Sequence, residues 1–297
     1  MLDIKYMREH EQDVRDAMRR RGASAPIEKA LDLDRERRRL VTEVENLKRE
    51  RNTASEAIGR LRKEGKDASE RQQAVRAIGD RISGLDSRVR DIEAELRGVL
   101  LAIPNVPHAS VPDGKGAEDN VAIRAWGSLR KFDFKPRPHV EIAENLGAVD
   151  FARAARMTGA GFHVFVGQCA RLERALIQFM LDLHTREHGY TEVSTPFVCN
   201  SAAMTGTGQL PKMAEDMYFL DKDGLYLVPT AEVPVTNIYR EEIIERPLPV
   251  YLTAYSPCFR REAGSAGKET RGLIRVHQFD KVEMVKFVEP ETSYAEL

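Results

Sequence analysis

The amino-acid sequence predicts an α+β protein, in which an N-terminal antiparallel helical coiled-coil hairpin precedes an antiparallel β-sheet core flanked by helices. A heptad pattern of apolar residues runs through residues 28–101. The segment Ala102–Pro112 contains Pro104, Pro107 and Pro112 and cannot continue a helix. Segments rich in β-branched and aromatic residues follow it. We therefore expect an N-terminal domain over residues 1–103 and a second domain over residues 104–297.

The heptad pattern predicts two helices that pack against each other within one chain. Apolar residues alternate steps of three and four without a break in the second half. The first half follows the same rule with Arg37 and Arg51 at two of the positions, and the interruption Arg62–Ala68 contains Gly65 but no seam residue. Two helices of similar length around such a turn run antiparallel. At 1.5 Å per residue each helix spans about 50 Å. The expected seam consists of Leu33, Leu40, Val44, Leu47, Ala54, Ile58 and Leu61 in the first helix and Val75, Ile78, Ile82, Leu85, Val89, Ile92, Leu96 and Val99 in the second.

The tip of this hairpin is basic, with Arg60, Arg62, Lys63 and Lys66 around Glu64. Coiled coils of this size commonly serve as dimerisation or spacer elements. Here the seam closes within one chain, so no partner helix is required. A long arm with a cationic end can also contact an RNA backbone, with an affinity that depends on salt.

Composition limits the possible functions. The chain of 297 residues has 46 basic and 47 acidic groups, so its net charge of −1 gives no nucleic-acid signature for the whole protein. Cys169, Cys199 and Cys258 form no CxxC pair, which favours a reduced protein without a cysteine-based zinc site, and we predict no metal ligands. The sequence contains neither a signal-peptide pattern at its start nor a run of about 20 apolar residues. We expect a soluble, cytoplasmic protein.

The second domain begins with mixed helix and strand signals. Gly167–His188 has the pattern of an amphipathic helix and leads to a strand at Tyr190–Pro196. Further on, Tyr251–Phe259 and Ile274–Val288 suit two strands joined by a charged loop. That loop contains Arg260, Arg261, Glu262, Gly264, Gly267, Lys268, Glu269, Arg271 and Gly272, and we expect its cations and amides to fold over an anionic ligand.

Alternation along the second of these strands places Arg275, His277, Phe279, Lys281 and Glu283 on one face. A guanidinium, an aromatic plane and a carboxylate on one face suit a ligand with a phosphate or carboxylate, a flat base, and an ammonium or hydroxyl group. The plainer alternative is an edge hairpin with a solvated polar face.

Several blocks in order along the whole chain carry a family resemblance. They are MLDIKYMRE at residue 1, NVPHASVP at Asn105–Pro112, RLERALIQFMLDLHTREHGYTEV at Arg171–Val193, GTGQLPK at Gly206–Lys212, PTAEVPVTN at Pro229–Asn237, and FRREAG followed by GKETRGLIRVHQFDKVEM within Phe259–Met284. The last block resembles motif 2 of class II aminoacyl-tRNA synthetases, in the form found in bacterial-type seryl-tRNA synthetases. The resemblance implies an enzyme that activates L-serine with ATP and transfers the seryl group to serine tRNA, and leaves open whether selenocysteine tRNA is also charged.

The resemblance implies roles for the residues of the hairpin in ATP binding and catalysis. Arg260 matches the arginine that holds the α-phosphate and the attacking carboxylate, and Glu262 matches the acceptor for the adenine amino group. Phe279 is expected to stack on adenine, and Val276 to contribute main-chain contacts. Arg275 is a second candidate for the substrate carboxylate.

Serine selection is expected at Thr230, Glu232 and Glu283. Carboxylates that accept from the serine ammonium and hydroxyl groups leave an alanine substrate with unmet polar groups in the pocket. In isolation, Glu232 also fits a surface carboxylate at a helix start. The resemblance further implies that Arg60, Arg62, Lys63 and Lys66 contact the long variable arm of serine tRNA, and that the helix and strand of Arg171–Val193 form a homodimer interface.

The same family carries a third motif with an arginine for the γ-phosphate, and a further segment with an acidic ligand for Mg²⁺. Neither has a match before Leu297. We therefore expect the sequence to be a piece of a longer enzyme, with a naturally shortened homologue as the alternative. Two other functions stay open at this point: a non-catalytic paralogue that binds tRNA through the arm, and a coiled-coil interaction protein with a vestigial nucleotide site. The last of these is disfavoured by the joint presence of six candidate site residues, Thr230, Glu232, Arg260, Glu262, Phe279 and Glu283.

Overall fold

The computed structural model describes residues 1–114, 116–263 and 272–297. The chain divides into two compact units, Met1–Ser128 and Leu129–Leu297. The predicted Gly264, Gly267, Lys268, Glu269 and Arg271 of the charged loop lie outside the described residues. No helix of the described ranges is long and apolar enough to cross a membrane.

The first unit consists of helices, and its long hairpin confirms the predicted coiled coil. Two short helices, α1 (Ile4–Glu9) and α2 (Glu11–Arg20), precede the hairpin helices α3 (Ile27–Lys63) and α4 (Ser69–Ala102). Gly65 adopts the left-handed conformation in the turn between them, with φ of 70°. Val44, Leu47 and Ile82 form one buried cluster of the seam, with Ile78 and Leu85 packed against it. A 3₁₀ turn at Ala117–Asp119 follows.

A buried carboxylate ties the short helices to the base of the hairpin. Asp34 on α3 is 1% exposed and accepts hydrogen bonds from Arg8 on α1 and from Arg38, both at 2.9 Å. Burial alone would raise the pKa of Asp34, but the hydrogen bonds from Arg8, Arg38 and Arg37 lower it below its usual range. The carboxylate therefore stays charged and links α1 to α3 at neutral pH.

The second unit mixes short helices and strands. In chain order they are α5 (His139–Asn145), β1 (Val149–Asp150), α6 (Phe151–Thr158), β2 (Val164–Phe165), α7 (Gln168–Arg186), β3 (Thr191–Glu192), β4 (Val198–Asn200), α8 (Ser201–Gly206), β5 (Phe219–Leu220), β6 (Leu225–Leu227), α9 (Glu232–Thr236), β7 (Val250–Phe259), β8 (Gln278–Phe287) and α10 (Ser293–Glu296), with 3₁₀ turns at Ala214–Asp216, Asn237–Tyr239 and Pro290–Thr292.

The antiparallel hairpin β7–β8 is the largest strand pair of the described residues and confirms the predicted hairpin. Its ten-residue register runs from Val250 opposite Phe287 to Phe259 opposite Gln278. The short β3 joins the other edge of β7 in parallel, which gives the order β3–β7–β8. Strands β4, β6 and β5 form a second, antiparallel sheet, and β1 pairs with β2.

Strand β8 begins four residues later than the sequence predicts, at Gln278 rather than Ile274. The amide of His277 donates to the carbonyl of Gly161 at 2.8 Å, and the Arg275 side chain turns to Glu262. These contacts replace the regular strand ladder. Arg275 and His277 therefore precede the strand, whereas Phe279, Lys281 and Glu283 lie on it.

Helix α7 leaves much of its apolar side open to solvent. Leu172, Leu176 and Phe179 are 57%, 49% and 61% exposed, while Leu181 is buried. An ordinary core helix would bury the first three residues. The apolar surface of Leu172, Leu176 and Phe179 is therefore not covered by the described part of this chain.

Candidate active site

Hairpin β7–β8 brings long side chains of one strand over small side chains of the other. Phe279 lies opposite Cys258 in the ladder, Lys281 opposite Ser256, and Glu283 opposite Ala254. The three small β7 residues are fully buried. Because these β7 side chains are small, the β8 side chains opposite them have room to reach neighbouring loops.

A hydroxyl, a carboxylate and an ammonium group meet at one end of this face. The Thr230 hydroxyl donates to Glu283 Oε2 at 2.6 Å, and Lys281 Nζ lies 2.5 Å from the same oxygen. Lys281 Nζ also contacts Thr230 Oγ1 at 3.2 Å. Thr230 is 5% exposed, and the Glu283 side chain is 16% exposed. This cluster can hold a small ligand that carries its own ammonium and hydroxyl groups.

The third residue predicted for serine selection, Glu232, starts α9 with an exposed side chain. Its main-chain amide donates to Thr230 Oγ1 at 3.2 Å. Within the described ranges its carboxylate makes no hydrogen bond or ion pair with Thr230 or Glu283. The structure therefore pairs Thr230 with Glu283 without the Glu232 carboxylate.

A guanidinium and an aromatic ring form the other end of the face. Arg260 Cζ lies 5.0 Å from the centroid of the Phe279 ring, within the range of a cation–π contact. Arg260 Nε donates to the carbonyl of Pro229 at 3.3 Å, one residue before Thr230. The predicted phosphate ligand and the predicted adenine platform are thus neighbours, next to the segment that supplies Thr230.

Glu262 and Arg275 form an ion pair, with 2.5 Å between Arg275 Nη1 and Glu262 Oε2. Their side chains are 20% and 37% exposed. Glu262 has φ of 51°, the left-handed conformation that side chains rarely adopt outside glycine. Val276, which the sequence predicts for main-chain contacts, is 7% exposed. The charges of Glu262 and Arg275 therefore neutralise each other.

A second polar cluster lies beside a cavity of about 220 Å³ lined by Phe162, His163, Phe165, Ala170, Glu173, Gln278, Phe279 and Asp280. Burial, a hydrogen bond with Asp280 and the Asp280 charge, in that order, raise the pKa of Glu173 to about 7. Tyr255 donates to Asp280 Oδ1 at 2.9 Å, and burial followed by this bond raises the pKa of Tyr255 to about 12. Burial lowers the pKa of His163.

Sequence reasoning missed this carboxyl cluster because its members come from α7, β7 and β8. Glu173 has the appearance of an ordinary exposed residue of an amphipathic helix, and only the strand register brings Asp280 towards it. It also missed Asp216, which lies in a 3₁₀ turn without periodicity and hydrogen bonds to the residues around Glu262. No motif or spacing in the sequence marks either feature.

The predicted RNA-contacting residues lie at the end of the hairpin in the first unit. Arg60, Arg62, Lys63 and Lys66 are all exposed. Lys66 Nζ pairs with Glu64 at 2.8 Å, whereas no ion pair involves the other three within the described ranges. Three cations therefore remain available at the tip.

Comparisons with known proteins cover the whole chain. The seryl-tRNA synthetase N-terminal domain matches residues 1–107, and the core domain of class II tRNA synthetases for G, H, P, S and T matches residues 218–297. The serine–tRNA ligases of Carboxydothermus hydrogenoformans and Moorella thermoacetica are 56% and 59% identical over 298 residues. Each of these matches covers 100% of this chain and 70% of the relative.

Two solved structures share the fold. Seryl-tRNA synthetase from Pyrococcus horikoshii, complexed with ATP, has a TM-score of 0.88 at 36% identity, covering all of this chain and 71% of that one. Cytoplasmic serine–tRNA ligase from Naegleria fowleri, in complex with AMP, has a TM-score of 0.83 at 25% identity, covering all of this chain and 72% of that one. With relatives above 50% identical over its full length and a matching fold, the chain belongs to the seryl-tRNA synthetase family.

Proposed function

We propose that the chain acts as a serine–tRNA ligase that uses ATP to form seryl-adenylate on the face of β8 and transfers the seryl group to serine tRNA. The observation that carries the proposal is the 2.6 Å contact between Thr230 and Glu283 on the same face as Arg260 and Phe279. One end of this face suits an amino acid and the other a nucleotide. Family membership and the ATP and AMP complexes of the two similar structures support the same function.

The serine end selects by hydrogen bonding. Glu283 accepts from the substrate ammonium, and Thr230 together with Glu283 satisfies the serine hydroxyl. An alanine substrate cannot make the hydrogen bonds of the serine hydroxyl, and selection by such hydrogen bonds can reach a discrimination of about 10⁴–10⁵. Glu232 is proposed for the same pocket, which requires its exposed side chain to turn towards Thr230.

The nucleotide end positions two anions for reaction. Arg260 holds the α-phosphate and the serine carboxylate together through its planar guanidinium, and Phe279 offers its ring to adenine. The carboxylate oxygen forms a bond to the α-phosphorus as the bond to pyrophosphate breaks, so no enzyme nucleophile is needed. Catalysis then consists of alignment and neutralisation of the charge on phosphorus.

Glu262, Val276 and Arg275 complete the proposed nucleotide site. Glu262 accepts from the adenine amino group, the main chain at Val276 contacts the base, and Arg275 offers a second cation to the phosphates or carboxylate. Arg275 and Glu262 form an ion pair at 2.5 Å, so ATP binding must share or exchange that pair.

Mg²⁺ is proposed only as the ion that accompanies ATP. The described residues contain no group of three or more His, Cys, Asp or Glu side chains that could hold a metal ion. Mg²⁺ commonly binds through substrate phosphates, waters and one or two carboxylates, which is compatible with this arrangement.

The coiled-coil hairpin is proposed to bind tRNA in the cytoplasm. Arg60, Arg62 and Lys63 at its exposed tip, joined by Lys66, would contact phosphates of the long variable arm of serine tRNA. We propose residues 1–103 as this tRNA-binding domain, followed by the catalytic domain from residue 104. The match of residues 1–107 to the N-terminal domain of the family supports that division.

A homodimer through α7 is also proposed. The exposed Leu172, Leu176 and Phe179 form an apolar surface on the helix that the family motif assigns to the subunit interface. A second copy of the chain would cover this surface and remove it from water.

Serine-dependent exchange of pyrophosphate into ATP tests the function directly, with binding of serine tRNA measured beside it. We expect serine-dependent exchange to be lost in Glu283→Ala, with unchanged tRNA affinity in that variant. Binding of tRNA without exchange or ATP binding would favour a non-catalytic paralogue. Near-normal exchange in Glu283→Ala would remove Glu283 from the site.

A further inference from the structure

The residues proposed to hold the α-phosphate and adenine lie just beyond the regular strand ladder. The last β7–β8 pair joins Phe259 to Gln278, and Arg260 and Glu262 follow it. Glu262 also adopts the left-handed conformation, with φ of 51°, which a side chain maintains only when its surroundings hold it. Other contacts must therefore fix these two residues.

Asp216 supplies contacts on both sides of Glu262. Its main-chain carbonyl accepts from the amide of Arg261 at 2.8 Å, and its Oδ1 atom accepts from the amide of Ala263 at 2.8 Å. The residues before and after Glu262 are thus bonded to one residue of a different segment. Arg261 adds a cation–π contact with Tyr218 at 5.7 Å, close to Asp216 in the chain.

His277 holds Arg260 in a corresponding way. The amide of Arg260 donates to the carbonyl of His277 at 2.9 Å, and His277 Nδ1 lies 3.0 Å from the carbonyl of Arg260. Because a carbonyl only accepts, Nδ1 must be the protonated nitrogen in this contact. The amide of His277 is bonded in turn to Gly161, which fixes the histidine itself.

We propose that Asp216 and His277 are positioning residues that clamp the backbone at Glu262 and Arg260, and that the Asp216 side chain thereby sets the preference of the site for adenine over guanine. This inference rests on the proposed function. Adenine presents an amino donor where guanine presents a carbonyl oxygen. A fixed Glu262 carboxylate accepts from the first and repels the second, whereas a loosely held carboxylate turns away from both.

Competition of ATP and GTP against a fluorescent ATP analogue, on the full chain, tests the clamp. Asp216→Ala removes the Oδ1 acceptor, and we expect ATP affinity to fall on the order of tenfold, with a smaller loss for GTP. Asp216→Asn keeps an oxygen at Oδ1 and is expected to stay within about twofold of the parent protein. Glu215→Ala, at the adjacent exposed carboxylate, is the matched control and should change neither value.

A second pair of variants tests the histidine. His277→Asn places an N–H donor near the position of Nδ1 and should retain ATP affinity, whereas His277→Ala should lose it on the order of tenfold. If Asp216→Ala fails to fold, the two His277 variants and Asp216→Asn test whether the clamp supports ATP binding.

The outcomes separate the clamp from the proposed function. A parent chain that binds no ATP contradicts the function itself. If the parent binds ATP but Asp216→Ala keeps its affinity and its ATP-to-GTP ratio, the clamp is refuted. An equal loss of ATP affinity in Asp216→Asn and Asp216→Ala refutes the clamp as well, because the negative charge of Asp216 rather than its Oδ1 hydrogen bond would then matter.

Discussion

Replacement of Glu173 by glutamine should change how the stability of the second unit depends on pH. Glu173 on α7 shares a hydrogen bond with Asp280 on β8, and its pKa is raised to about 7. An unfolded glutamate titrates at its ordinary value of 4.5. Between these two values the folded chain holds a proton that the unfolded chain releases, so stability falls as pH rises from about 4.5 through about 7.

The size of the effect follows from the two pKa values. The gap between 4.5 and about 7, at about 1.4 kcal/mol per pH unit, sets an upper bound of about 3.5 kcal/mol. Because Glu173 remains partly open to water, we expect a loss of ~1–2 kcal/mol between pH 5 and pH 8. Glu173→Gln should lack this loss and be more stable than the parent at pH 8.

Urea unfolding at several pH values measures the effect. Near-UV circular dichroism of tyrosine reports mainly on the second unit, because every tyrosine except Tyr6 lies within Leu129–Leu297. Glu187→Gln, at the exposed end of α7, is the matched control and should keep the parent profile. Parallel pH profiles for the parent and Glu173→Gln would refute the reasoning.

Three further predictions concern the tRNA arm, its base and the apolar side of α7. Reversing the charges of Arg60, Arg62 and Lys63 should weaken tRNA binding and reduce its salt dependence without affecting ATP or serine binding; an unchanged affinity in a filter-binding titration would contradict this. Asp34→Asn should lower the free energy of unfolding of the first unit by about 2–3 kcal/mol, since three guanidinium groups lose a buried partner. The loss should appear as a lower urea midpoint in circular dichroism at 222 nm. In the parent, the stability of this unit should fall as pH drops through the lowered pKa of Asp34, and stability that does not change in acid would contradict this. Phe179→Asp should raise the dissociation constant of any homodimer at least tenfold in sedimentation equilibrium, because a carboxylate would be buried at the interface; equal self-association would argue against α7 as the interface.

Local patterns predicted the elements that depend on neighbours in sequence. The heptad seam gave both hairpin helices, because each seam residue packs within a turn or two of the next. The composition of Tyr251–Phe259 predicted strand β7, which the structure places at Val250–Phe259. The predicted start of β8 was wrong, because the His277–Gly161 hydrogen bond that replaces the ladder joins residues far apart in sequence.

The candidate site was predicted in residue type more than in arrangement. Family resemblance named Thr230, Glu283, Arg260 and Phe279, and the structure brings them to one face of β8. The pairing of Glu283 with Lys281 could not be predicted, since strand alternation alone does not say which neighbours make contact. Roles for all these residues stay predictions until binding and exchange are measured.

The contact between Lys281 and Glu283 has a consequence for how a ligand would enter. The Lys281 ammonium group lies 2.5 Å from the Glu283 carboxylate, so arrival of a serine ammonium amounts to cation exchange. One positive group replaces or joins another, and the half-buried carboxylate need not pass through an unpaired state. Serine affinity should then respond only weakly to ionic strength, in contrast to the strong salt dependence expected for the tRNA arm.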